Sequence, residues 1–90
     1  MANHKSALKR IRQNEKRRLR NRSRRNRART LVKKARLQIE AGDFSSAEQA
    51  TLAAMRDLDK AASKGVIHRR NADRRKSRLM KRLNTLRATA

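Results

Sequence analysis

Apolar residues recur at helical spacing in three stretches of this chain, and no run alternates as a half-buried strand would. In the first, Ala28, Leu31, Val32, Ala35 and Ile39 fall on one side of a helix, whereas Leu19 is the only large apolar residue between Arg12 and Arg27. In the second, Ala47, Ala50, Ala54, Leu58 and Ala61 form a face of mostly small residues, flanked by Leu52 and Met55, that suits close helix packing. In the third, Ala72, Leu79, Leu83 and Leu86 share an inner side, and Val66 and Ile67 just before it are placed to plug the end of a bundle. Proline is absent and the only glycines are Gly42 and Gly65, so the breaks fall there.

These signals predict an all-α fold: a three-helix bundle in a single domain of 90 residues, with helices over about 2–41, 46–64 and 68–87. Gly42 suits the left-handed position that ends a helix. Ser45 followed three residues later by Glu48 reads as a capping box for the second helix, and Phe44, the only aromatic residue, is expected to cover the turn. A first helix of that length extends roughly 60 Å at ~1.5 Å per residue, so its basic N-terminal half must project past the body. Repulsion between like charges one turn apart should leave this projection frayed until a polyanion binds.

Charge decides what kind of partner that is. The chain carries 28 Lys and Arg against 7 Asp and Glu, a formal net charge of +21, and self-repulsion on that scale opposes compaction unless a polyanion neutralises it. Residues 1–39 hold 16 basic groups and 1 acidic, residues 40–65 hold 3 and 5, and residues 66–90 hold 9 and 1. The first and third helices are therefore expected to face the polyanion, while the second turns away from it or shields its neighbours. Without cysteine there is no disulfide framework, thiolate nucleophile or cysteine–zinc site. No apolar run approaches the roughly 20 residues needed to span a bilayer, and residues 1–10 lack the apolar core of a secretory signal. The basic character runs on to Arg36, unlike that of a mitochondrial transit peptide, which stops at a cleavage site.

Candidate RNA-binding residues follow from the same distribution. Arg10, Arg12, Lys16, Arg17, Arg18, Arg20, Arg22, Arg24, Arg25, Arg27 and Arg29 set positive charge around most of the first helix, as a rod with phosphate on several sides requires. Asn3, Asn14 and Asn21, between the cations, can hydrogen-bond base edges, 2′-hydroxyls or phosphate, as can Ser23 and Asn26. His4, Lys5, Ser6 and Lys9 extend the surface at its start, and Thr30, Lys33 and Lys34 at its end. On the third helix the corresponding residues are His68, Arg69, Arg70, Asn71, Arg74, Arg75, Lys76 and Arg78, with His68 equally suited to cap that helix. With Phe44 the sole aromatic, binding must rest on shape and phosphate instead of base stacking.

Catalytic and metal chemistry find no support. His4 and His68 are far apart in sequence and have no cysteine or second histidine at ligand spacing, so no metal or cofactor is expected. Asp57 and Asp59 point about 200° apart on a helix and make no carboxylate pair. Glu15 beside Lys16 to Arg18, and Asp73 beside Arg69 and Arg70, read as local ion pairs. No glycine-rich phosphate loop or nucleophile elbow occurs, and no small-molecule substrate is expected.

The opening Met1-Ala2-Asn3-His4-Lys5-Ser6-Ala7-Leu8-Lys9-Arg10-Ile11 resembles the start of the S-twenty family of bacterial small-subunit ribosomal proteins. Glu15, Arg18, Asn21, Arg29-Thr30, Lys33-Lys34 and the Glu40-Ala41-Gly42-Asp43 turn keep the family's order. So do Leu58-Asp59-Lys60-Ala61-Ala62, Gly65-Val66-Ile67-His68, Arg74 and Lys76-Ser77-Arg78-Leu79, so the resemblance covers essentially the whole chain. It implies a three-helix bundle with an extended first helix, a monomer within the cytoplasmic small subunit that binds 16S ribosomal RNA directly and early in assembly, beside other subunit components. Arg69-Arg70-Asn71, where the family often has Lys-Asn, and Asp73, where a small residue is common, depart from the pattern.

Two rival functions share the charge. A DNA-compacting architectural protein usually dimerises and inserts apolar wedges, and neither a heptad seam nor a wedge is read here. A membrane-active helix needs one broad apolar face opposite the basic one, which residues 12–27 lack.

Overall fold

The computed structural model describes residues 2–89, with side chains from residue 4 onward. Three helices run α1 (Ala2–Ala41), α2 (Phe44–Ser63) and α3 (Arg69–Thr89). Among the described residues nothing else is regular, and the fold is an all-α bundle with a long first helix. α1 packs mostly against α2, and α3 packs more on α2 than on α1.

Each break has a local cause. Gly42 sits at φ +86°, a conformation that L side chains rarely adopt, and turns the chain tightly enough for Asp43 to become the N-cap of α2. The expected Ser45–Glu48 capping box is therefore displaced. α2 begins at Phe44, two residues early, and the Ser46 hydroxyl donates to Asp43 Oδ2 at 2.8 Å. Phe44 is the first residue of the helix and is half-buried beside the turn. At the other end Gly65 (φ +73°) closes a Schellman motif: Val66 N–H donates to Ala61 carbonyl at 2.9 Å and Gly65 N–H to Ala62 carbonyl at 3.0 Å. Val66 and Ala61, both buried, supply the apolar contact that accompanies it. His68 caps α3, its Nδ1 accepting the Arg70 N–H at 3.1 Å, so the helix itself starts at Arg69 and continues to Thr89.

The core is a seam with 4-3 spacing. Ala47, Thr51, Ala54, Leu58 and Ala61 are buried on α2, opposite Ala28, Val32 and Ala35 on α1, with Ile39 half-buried at the next step. A heptad seam thus exists after all, within one chain, and its alanines let the helix axes approach closely. Ala72, Leu79 and Leu83 of α3 close the third side, and Ile67 packs against the cluster from the α2–α3 turn. Leu52, expected beside the packed face, is instead exposed, because it lies one residue beyond the seam.

Thr51 holds a seam position that its polarity disguises. It is fully buried, and its Oγ1 has no hydrogen-bond partner. A buried hydroxyl left unpaired costs about 1–3 kcal/mol. Thr51→Val keeps the branched shape while removing that group, so it should stabilise the bundle by about 1 kcal/mol. For a domain of this size that raises Tm by roughly 4–8 °C, readable by thermal circular dichroism. A lower Tm would mean that the hydroxyl is paired in solution.

Every described side chain from His4 to Ser23 is exposed, because only the C-terminal half of α1 carries the seam. The radius of gyration is 18.0 Å and the longest dimension 68 Å. A compact chain of this length would have a radius near 12 Å, so half of α1 stands clear of the body as a basic rod.

Candidate nucleic-acid interface

α1 and α3 run side by side in the same direction and leave a furrow between them. Its upper part is a cleft of about 220 Å³ lined by Val32, Arg36, Arg74, Arg75, Arg78, Leu79 and Arg82. The lower part, about 320 Å³, is lined by Arg25, Ala28, Arg29, Leu58, Val66, Ile67, His68, Asn71 and Arg75. Arg75 belongs to both, and Arg25 and Arg29 carry the lower part on into a shallow recess along α1 bordered by Asn14, Arg17, Arg18, Asn21, Arg22 and Asn26. A single track, edged by Arg and Asn, therefore leads from the projecting rod into the groove of the bundle.

Acidic residues are distributed to leave this track cationic. Asp57, only 12% exposed, pairs with Arg27 at 3.1 Å. Asp59 pairs with Lys76 at 2.7 Å, and Asp73 reaches the same ammonium at 3.9 Å. The mildly acidic α2 thus shields one cation on each neighbouring helix, as its charge suggested. Asp73 partners Lys76, one turn along α3, in place of Arg69 or Arg70, while the expected Arg18–Glu15 pair forms at 2.9 Å. The groove on the opposite flank of α3, between Asp59, Ala62, Ser63, Arg69, Ala72, Asp73 and Lys76, holds both carboxylates that the furrow lacks.

The candidate residues read from sequence divide accordingly. Arg25, Arg29, His68, Asn71, Arg74, Arg75 and Arg78 come together in the furrow. Asn14, Arg17, Arg18, Asn21 and Arg22 line the recess. His4, Lys5, Ser6, Lys9, Arg10, Arg12, Lys16 and Arg20 are exposed along the rod, as are Lys33 and Lys34 beyond it, and Arg24 is half-buried. The Thr30 hydroxyl donates to the Asn26 carbonyl at 2.8 Å and is occupied within its own helix. Arg69 and Lys76 line the α2–α3 groove instead, Arg70 is exposed at the start of α3, and the Asn3 side chain lies outside the described residues. Arg36 and Arg82 line the cleft and were not singled out. Their spacing was the available signal: Arg25, Arg29 and Arg36 lie four and seven residues apart, and Arg75, Arg78 and Arg82 three and four, one face of each helix.

The geometry also bears on the membrane-active alternative. No described helix is long and apolar enough to cross a membrane. Among the described residues the exposed large apolar side chains of the rod are Leu8, Ile11 and Leu19, too few for a broad amphipathic face beside so many cations.

The family model for Ribosomal protein S20 matches residues 2–84. A Geobacter sulfurreducens protein named small ribosomal subunit protein bS20 is 57% identical over 86 residues, covering 96% of this chain and 99% of its own. Proteins of the same name from Thermomicrobium roseum, 56% identical over 96% of this chain and 87% of theirs, and Geobacillus thermodenitrificans, 48% identical over 99% and 100%, match equally along the sequence. Since the match takes in the rod, both glycine turns and the furrow, the chain belongs to the ribosomal protein S20 family.

Proposed function

We propose that this chain is a structural constituent of the small ribosomal subunit that binds 16S ribosomal RNA directly. It works as one RNA-binding unit over its whole length, neutralising phosphates and bridging RNA segments as they are brought together during assembly. The observation that carries the reading is the basic track, on which Arg18 alone has a carboxylate partner among the described residues, from the exposed rod into the α1–α3 furrow, in a family whose members are named for the small subunit. Arginine predominates on it because the planar guanidinium holds phosphate through two parallel hydrogen bonds. The rod, exposed on every side, can lie between RNA surfaces, while the bundle offers a second, separate face. No bond is made or broken: the role is to lower the electrostatic cost of packing phosphates together. Its place is the cytoplasmic ribosome, as a monomer among the other subunit components, without cofactor or metal.

Sedimentation of a native extract at low magnesium, where the subunits separate, tests this directly. The protein, followed by mass spectrometry, should migrate with the small subunit at unit stoichiometry. A peak with nucleoid DNA, or at the top of the gradient, would overturn the reading.

A further inference from the structure

We propose that the furrow between α1 and α3 seats one sugar–phosphate strand of the RNA, and that Asn71 positions Arg75 as its key contact. This rests on the RNA-binding reading above and adds to it where on the bundle a strand lies and what fixes it.

Three observations converge. First, the furrow is cationic without relief: none of its arginines has an acidic partner among the described residues, whereas the groove on the other flank of α3 contains Asp59 and Asp73. Like charges held this close oppose each other until an anion enters. Second, every long basic group bordering the furrow is arginine and none is lysine, although Lys33, Lys34 and Lys76 lie nearby in sequence. Fixed, two-pronged phosphate contacts select for arginine in this way, whereas a diffuse positive field does not. Third, Arg75, shared by both halves of the furrow, is half-buried and donates its Nε–H to Asn71 Oδ1 at 2.9 Å. That bond fixes the plane of the guanidinium and leaves its two terminal amino groups for phosphate.

The dimensions suit a single backbone. Helices packed ~8–10 Å apart leave a groove too narrow for a duplex but open to one strand. From Arg25 to Arg36 the furrow runs about 17 Å at ~1.5 Å per residue, room for several successive phosphates. Val32 and Leu79 make its floor apolar, which weakens competition from water for the arginine contacts above.

The test compares binding of the full chain to a 16S ribosomal RNA transcript and to an unrelated transcript of equal length. The variants are Arg75→Gln/Arg78→Gln/Arg82→Gln and, as a control removing the same charge from outside the furrow, Arg56→Gln/Lys60→Gln/Lys64→Gln. With contacts to a single strand contributing ~0.7 each to the slope of log affinity against log salt, the furrow variant should lose about 2 from that slope and roughly a hundredfold in affinity, and the control far less. Asn71→Ala should weaken binding severalfold in the parent chain and do nothing further once Arg75 is Gln, since a positioning residue acts only through its partner. Equal losses in the two triple variants, with the parent chain still preferring 16S RNA, would overturn the furrow assignment alone. No preference in the parent chain would overturn the reading beneath it, that the chain recognises 16S ribosomal RNA. Should the furrow variant lose its helical signal, RNA crosslinks in the unmodified complex decide: crosslinks within residues 71–82 support the seat, and crosslinks confined to residues 1–24 overturn it.

Discussion

Leu58→Ala should leave the RNA-free protein largely unfolded at 25 °C. Leu58 is 1% exposed, the largest fully buried side chain, and lies in the cluster that joins α1, α2 and α3. Its neighbours there include Ala28, Ala35, Ala54 and Ala72, which have no side-chain length with which to fill a void. The loss should fall in the range of about 2–5 kcal/mol measured for buried leucines, nearer its upper end for want of relaxation. A core this small rarely supplies more than about 3–5 kcal/mol in total, so one truncation consumes most of the stability. Leu19→Ala is the matched control: Leu19 is 55% exposed on the rod, and its removal should leave the melting curve unchanged. Helical circular dichroism against temperature reads both. A Leu58→Ala chain that melts with the parent would mean that the 4-3 seam is not what holds the helices together.

The same alanine-rich seam explains how far the fold could be read in advance. Two glycines in a chain without proline placed the breaks, and the 3.6-residue period placed the packed sides, because both signals are local. Thr51 escaped because the eye follows apolar identity, while packing follows spacing: the step of four then three from Ala47 to Ala54 passes through position 51 whatever stands there. The start of α2 shifted for a related reason. Ser45 and Glu48 satisfy the capping pattern, but the left-handed Gly42 brings Asp43 into the cap first. At the interface, the sign and density of charge were legible from composition. Its selection was not, since Arg27–Asp57 and Lys76–Asp59 join residues that meet only once the helices pack. Arg36 and Arg82 are likewise ordinary surface arginines until α1 and α3 are set side by side.

Affinity for 16S ribosomal RNA should fall by roughly 10³ to 10⁵ between 50 and 200 mM salt, as up to about ten phosphate contacts imply. Each cation that replaces a counterion on the RNA releases it, and the entropy gained shrinks as bulk salt rises. The number of contacts need not approach the 28 basic residues. Arg18, Arg27 and Lys76 already have carboxylate partners, and Arg56 and Lys60 of α2 are not among the residues that line the track, so these release fewer ions. What remains along the recess and the furrow is of the right order for ten. Exposed apolar side chains on the rod offer the alternative driving force, because Leu8, Ile11 and Leu19 all lie open to solvent. Binding through them would respond weakly to salt and would strengthen slightly in sulfate. Titration of a 16S transcript by fluorescence anisotropy over that range separates the two. A steep linear fall of log affinity with log salt assigns the interaction to phosphate neutralisation, and a flat line would transfer it to the apolar stripe of the rod.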